Sequence, residues 1–158
     1  MNFEGPLEDR VAIRELLDTY SDANTRRDGE LWASVWLDSE DCRWMLPSMA
    51  DWARFNGKRQ IVAEWLKMTA QFHGDLGKTN PLCQVTVPGA IRVQGDTATA
   101  RCYTTEFFVV PDGRTLHTKG QYDDVLVKQG GRWLFKERTW RLMELGDFKA
   151  IQVAKSDA

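Results

Sequence analysis

Histidine and cysteine are scarce in this chain, and no stretch of it is uniformly apolar. The two histidines, His73 and His117, stand far apart, and the three cysteines, Cys42, Cys83 and Cys102, form no CxxC pair. A dedicated metal site needs clustered ligands, so none is expected. An odd, dispersed set of cysteines reads as small buried hydrophobes in a reducing compartment. No apolar run approaches the ~20 residues of a membrane span, and the acidic start MNFEGPLEDR lacks the basic-then-apolar order of a signal peptide. The net charge of −2 gives no electrostatic case for nucleic acid or an anionic membrane. Also missing are GxSxG, a Walker-type glycine loop, GxGxxG after a strand and HExxH. These absences lead to the expectation of a soluble cytoplasmic protein with no metal and no cofactor.

What is present begins with length. The 158 residues are expected to form one domain over 1–158, large enough to bury roughly two-thirds of its unfolded surface. Seven Trp against three Tyr suits an apolar pocket or an aromatic interface. The most informative stretch is Gln94–Val110, QGDTATARCYTTEFFVV, in which a Gly95-Asp96 turn opens into β-branched and aromatic residues. Strand alternation puts Ala98, Ala100, Cys102, Thr104 and Glu106 on one face and Arg101, Tyr103 and Phe107 on the other. The first face starts with two alanines, which admit close packing, and ends in a carboxylate. It is expected to look inward, and the second to meet solvent or another subunit.

Around that strand the pattern is helices first, strands later. Pro6 and the acids Glu8 and Asp9 open a helix, along which Ile13, Leu16, Leu17 and Tyr20 recur at helical spacing with Asn24 one turn on. Tyr20 reads either as a core tyrosine or as a pocket residue. Leu31, Trp32, Val35 and Trp36 predict a second helix, and Arg43–Leu46 a short strand stopped by Pro47. Residues 48–56 read as an irregular loop carrying Trp52 and Phe55. Gly57 precedes a third helix with Ile61, Trp65, Met68 and Phe72 on one stripe. It ends at His73-Gly74, where the imidazole is either a helix-end partner for the dipole or a general base at a cavity mouth.

Strands follow at Gln84–Val87 and Ala90–Val93, flanking a Pro88-Gly89 bulge. After the central strand comes a Pro111-Asp112-Gly113 turn, then Thr115–Lys128 and, beyond Gln129-Gly130-Gly131, Arg132–Leu142. Folding back at that turn sets Asp123 or Asp124 opposite Arg138 as a structural pair. His117 reads as an exposed or interface residue. The order of elements predicts an α+β fold.

The segments DRVAIRELLDTYSDA, RRDGELWASVW and GKRQIVAEW, followed by VQGDTATARCYTTE and GQYDDVLVKQGGRWLFKERTW, resemble the SnoaL-like polyketide cyclases and dehydratases over roughly Asp9 to Trp140. That resemblance implies the nuclear transport factor 2-like (cystatin-like) fold of scytalone dehydratase and ketosteroid isomerase. It is a cone-shaped barrel with three N-terminal helices packed in a curved, mainly antiparallel sheet and a deep apolar pocket at its open end. It further implies a small-molecule ligand and a homodimer or homotrimer through the outer sheet face. Relatives of the dehydratase type pair an Asp at the end of the first helix with a His after the third. Here the Asp position falls on Thr25 or Asn24, and the His position on Asp75 or Leu76, two or three residues from His73, so the dyad is not intact.

The candidate proton-transfer groups are therefore Glu106 and His73, with Tyr20 in support. Asn24, Trp36, Trp44, Trp65, Cys102 and Thr104 are the candidate ligand-binding residues. A carboxylate in a Trp-lined pocket would be held partly protonated by desolvation and serve in a dehydration, isomerisation or cyclisation. The competing reading makes Glu106 a structural carboxylate paired with a base on a neighbouring strand. A rival of another class is a non-catalytic ligand-binding or assembly protein, including a small subunit of a ring-hydroxylating oxygenase.

Overall fold

A computed structural model describes residues 2–73, 83–109 and 114–147. Helix α1 runs Leu7–Arg26, α2 Gly29–Ser34 and α3 Lys58–His73; the strands are β1 Phe3–Glu4, β2 Arg43–Met45, β3 Arg54–Asn56, β4 Cys83–Gln94, β5 Thr97–Val109, β6 Thr115–Gln129 and β7 Arg132–Asp147. All seven strands join one sheet in the order β1-β4-β5-β6-β7-β2-β3. β4 to β7 form an antiparallel meander, whereas β1 on β4 and β2 on β7 are parallel. The α+β class holds, and the sheet is curved without closing, with β1 and β3 as its edges.

The turns follow from glycine chemistry. Gly130 and Gly131 both take positive φ, 58° and 78°, the backbone a two-residue type I′ hairpin demands. α1 ends where Arg27 adopts a left-handed φ of 56°. Asp28 then caps α2, its carboxylate accepting from Leu31 N at 2.9 Å.

α2 is shorter than its apolar spacing predicts. Trp36 lies beyond it, because β7 captures the chain there: Phe135 N donates to Val35 O (2.9 Å) and Leu37 N to Phe135 O (3.0 Å). The expected loop over 48–56 ends in β3, which pairs with β2 through Trp44 and Phe55. β7 continues past Leu142 to Asp147.

Three register shifts set which side chains face in. One lies at Pro88/Ala90, at the expected bulge; the others lie in the β6–β7 ladder at Lys119/Gly120 and Val125/Leu126. Each extra residue flips the alternation. In β4, Gln84 and Thr86 are buried before the bulge and Ile91 and Val93 after it; in β7, Trp133 and Phe135 are buried before the shift and Arg138 and Trp140 after it.

The concave face is aromatic. Trp32 stacks on Trp65 with centroids 4.7 Å apart, and Tyr20, Trp36 and Trp44 pack around it. Among the seven Trp only Trp52 is freely exposed, at 75%. No helix among the described residues is long and apolar enough to cross a membrane.

Candidate functional site

α1 and α3 do not fill the curved sheet to its end. Between them, the β2 region and strands β5 to β7 lies a cavity of about 340 Å³. α1 contributes Tyr20 and Asn24, α3 Trp65, Met68 and Thr69, and the β2 region Trp44, Leu46, Ser48 and Met49. The strands add Glu106, Leu116, Thr118, Tyr122, Trp140, Leu142 and Leu145. The wall is thus mainly aromatic and aliphatic, interrupted by one carboxylate and a few neutral polar groups.

Inward projection of Glu106 follows from the alternation on β5, where Ala98, Ala100, Cys102 and Thr104 are all buried on the same side. Its direct partner across the β4–β5 ladder is Gln84, whose Nε2 donates to Glu106 Oε1. The partner on the neighbouring strand is therefore a neutral amide, and no ion pair to a basic side chain holds Glu106 among the described residues. Burial pushes its carboxyl above the ordinary value, against the Gln84 hydrogen bond and the Arg138 charge, which pull it down.

Tyr20 and Tyr122 meet at the cavity wall with hydroxyl oxygens 3.3 Å apart. Burial pushes Tyr20 up to about 12, opposed by the positive charge of Arg138. Tyr122 is raised for the same reason, with the neighbouring Tyr20 adding to it. Asn24 Oδ1 accepts from Trp65 Nε1 at 3.0 Å, which leaves the amide NH₂ as the donating end. Of the two positions where the resemblance puts an acid, Asn24 is at the cavity. Thr25 is not: its Oγ1 accepts the Gln84 backbone N–H at 3.0 Å, tying the end of α1 to β4.

Behind the tyrosines lies a buried ion pair. Arg138 is 0% exposed and Asp124 3%, with Arg138 Nε 3.3 Å from Asp124 Oδ1. Of the two register candidates, Asp124 is the partner facing Arg138; Asp123 faces outward to Arg101 (2.9 Å) and Arg141 (2.8 Å). Burial lifts the Asp124 carboxyl to about 7 even with Arg138 beside it. For Arg138, burial works against the charge, but Asp124, Cys102 and the two tyrosines together hold it above its usual value.

The remaining candidates divide. Trp44 and Trp65 line the cavity with Tyr20, Asn24 and Glu106, whereas Trp36, Cys102 and Thr104 are buried without lining it. Trp36 packs on Trp32 and Phe135 in the core. Burial raises the Cys102 thiol to about 12, so it is a core group. Thr104 Oγ1 accepts from the Trp140 indole at 3.4 Å and so acts one layer behind the wall. His73 is the last residue of α3, and its side chain lies outside the described residues, as do the 74–82 connection and the Pro111-Asp112-Gly113 turn. His117 alternates away from the cavity and stacks on Phe107, centroids 5.5 Å apart. Among the described residues no group of three or more His, Cys, Asp or Glu is placed to hold a metal ion.

Several wall residues were not among the candidates. Leu116, Thr118 and Tyr122 sit on the inward alternation of β6, a signal the sequence carried. Gly120 shares that face and is the space into which Trp140 lies: a Cβ there would overlap the indole. Trp140 and Leu142 depend on the register shift at Val125/Leu126, for which the sequence offers no glycine or proline marker; Leu145 depends further on the shift at Lys119/Gly120.

A sequence profile of the SnoaL-like domain matches residues 5–139. No curated protein matches the chain. Among solved structures, a Novosphingobium aromaticivorans protein assigned as a scytalone dehydratase superposes with a TM-score of 0.75 at 21% identity, over 90% of this chain and 89% of that one. A second protein of that organism, assigned as an aromatic ring hydroxylase, gives 0.72 at 23% identity, over 92% and 96%. The hexachlorocyclohexane dehydrochlorinase LinA-type3 of Novosphingobium barchaimii gives 0.75 at 15% identity, over 92% and 93%. At these identities the likeness is one of fold.

Proposed function

The chain belongs to the SnoaL-like domain family, and from that premise we propose that it binds an apolar cyclic or aromatic small molecule and performs cofactor-independent acid–base chemistry on it. The carrying observation is Glu106: a carboxyl lining an otherwise apolar cavity and partnered by a neutral amide rather than a cation. A structural carboxylate is normally kept ionised by a base. A carboxyl raised by desolvation is better suited to take and return a proton than a fully solvated one.

In this reading Glu106 removes a proton from a carbon next to a carbonyl. The electron pair of the C–H bond moves toward the carbonyl oxygen or expels a leaving hydroxyl on the adjacent carbon. The hydroxyl of the Tyr20–Tyr122 pair that is not donating to the other, together with the NH₂ of Asn24, donates to the oxygen that gains charge. Trp44, Trp65 and Trp140 wall the ring system and exclude water. The same reading assigns self-association to the outer sheet face, where Val85, Val87 and Tyr103 are exposed; a purely monomeric species in sedimentation velocity would remove that part. Three unpaired cysteines fit a reducing compartment such as the cytoplasm.

The test is a thermal-shift screen against aromatic, terpenoid and steroid-like compounds. A ligand at a hundredfold excess over its dissociation constant stabilises the native state by about 2.7 kcal/mol, so a true ligand raises the transition temperature in a dose-dependent way. A broad panel without a hit would sink the cavity reading in favour of an assembly role.

A further inference from the structure

Arg138 is the most deeply buried charge in the described structure, and its surroundings are unusual for a structural arginine. Its guanidinium carbon lies 3.9 Å from the Tyr20 ring centroid, 3.8 Å from that of Tyr122 and 4.3 Å from that of Phe135. An arginine kept for scaffolding uses its five donors. Here, among the described residues, Nε and Nη1 have no hydrogen-bond partner, and neither has either oxygen of Asp124. Only Nη2 makes a polar contact of that kind, to Cys102 Sγ at 3.4 Å. What the site uses is the position of the charge, 3.9 and 3.8 Å from two tyrosine ring centroids, rather than its hydrogen bonds.

The tyrosines stand between that charge and the cavity: both line it and Arg138 does not. Their hydroxyls meet each other, and the charge of Glu106 acts on both. Arg138, the hydroxyl pair and Glu106 thus form one electrostatic series from core to cavity. A cation against the face of a phenol withdraws electron density from it and makes the O–H a stronger donor.

We infer that Arg138 is a positioning residue that turns the Tyr20–Tyr122 hydroxyl pair into a subsite for an acceptor oxygen, so that the cavity selects ring compounds carrying a carbonyl or enolate oxygen over hydrocarbons of the same shape. Asp124 tempers the field by partly neutralising the guanidinium. The inference rests on the cavity reading above, and it adds the buried residue that tunes the acceptor-oxygen subsite of that reading.

The experiment uses 1-tetralone, an acceptor-only cyclic ketone, and tetralin, its hydrocarbon counterpart, on the whole chain at about pH 8, above the raised Asp124 value of about 7. Calorimetry gives the ratio of the two affinities, and the infrared carbonyl band of bound 1-tetralone reports donation to its oxygen. The native chain binds the ketone more tightly and shifts its carbonyl band to lower frequency than in an alkane. The neutral double variant Arg138→Met/Asp124→Asn keeps tetralin binding and loses about thirtyfold in the ratio, the desolvated end of the cation–π range. Asp124→Asn alone moves the ratio and the band the other way, which decides the matter should the double variant not fold.

An unshifted band in the native chain, a ratio indifferent to both variants, or equal loss of both ligands overturns the role of Arg138 while the cavity reading stands. Failure of the native chain to bind either probe overturns the cavity reading and this inference with it.

Discussion

Replacing Asp124 by Asn separates two accounts of the buried pair. The side chains are nearly isosteric, so packing changes little and the difference is ionisation. In the native fold burial raises Asp124 from 3.8 to about 7. A carboxyl with a raised folded value contributes stability that is complete below its unfolded value and is lost as pH rises through the folded one. The window is therefore 3.8 to about 7, and at 1.36 kcal/mol per pH unit the native chain loses roughly 4 kcal/mol across it. Asn does not ionise, so the variant escapes that loss. Arg138 faces a neutral partner in both proteins at low pH, so its own burial cancels there. Urea unfolding of both proteins from about pH 4 to about pH 8 is expected to show the variant gaining roughly 4 kcal/mol on the native chain, levelling off above pH 7. A flat difference would mean that Asp124 titrates alike folded and unfolded. A difference of opposite slope would mean that the ion pair more than offsets the cost of burial.

Glu106→Gln is expected to behave in the same sense. Its carboxyl is raised by burial, so the variant matches the native chain at low pH and becomes the more stable of the two as pH rises, read from urea midpoints; a native chain that gains on the variant with pH would refute the assignment. Gly120→Ala places a methyl group against the Trp140 indole and is expected to cost about 1–3 kcal/mol as overpacking. The same variant is expected to alter ligand binding because Trp140 is a cavity wall. Unchanged stability and affinity would mean the strand gives way more easily than its pairing implies.

The architecture was legible in the sequence wherever it depended on local chemistry. Pro6, Gly95 and Gly130-Gly131 punctuate the chain at the expected turns and helix start, and strict alternation along β5 points Glu106 inward. Where long-range pairing decides, the reading falls short. Trp36 continues an apolar helical spacing, yet pairing with Phe135 takes it out of the helix. Arg54–Asn56 has no strong strand pattern and becomes β3 because β2 is there to pair with. Within the site, Glu106, Tyr20, Asn24, Trp44 and Trp65 follow from one-element periodicity. The cage around Arg138 could not be read that way, because it needs the unmarked register shift at Val125/Leu126 to turn Arg138 inward beside Asp124. Gln84 as the partner of Glu106 likewise depends on the β4–β5 register.

Proton transfer by Glu106 on a ring compound held in this cavity can be tested without knowing the natural substrate. In deuterium oxide, 1-tetralone exchanges the protons next to its carbonyl slowly, and mass spectrometry follows the incorporated label. The native chain is expected to accelerate this exchange, and Glu106→Gln, which still binds the ketone, to return it to the buffer rate. A native chain that binds the ketone without accelerating exchange, or a Gln variant that exchanges as fast as the native chain, would contradict that role for Glu106.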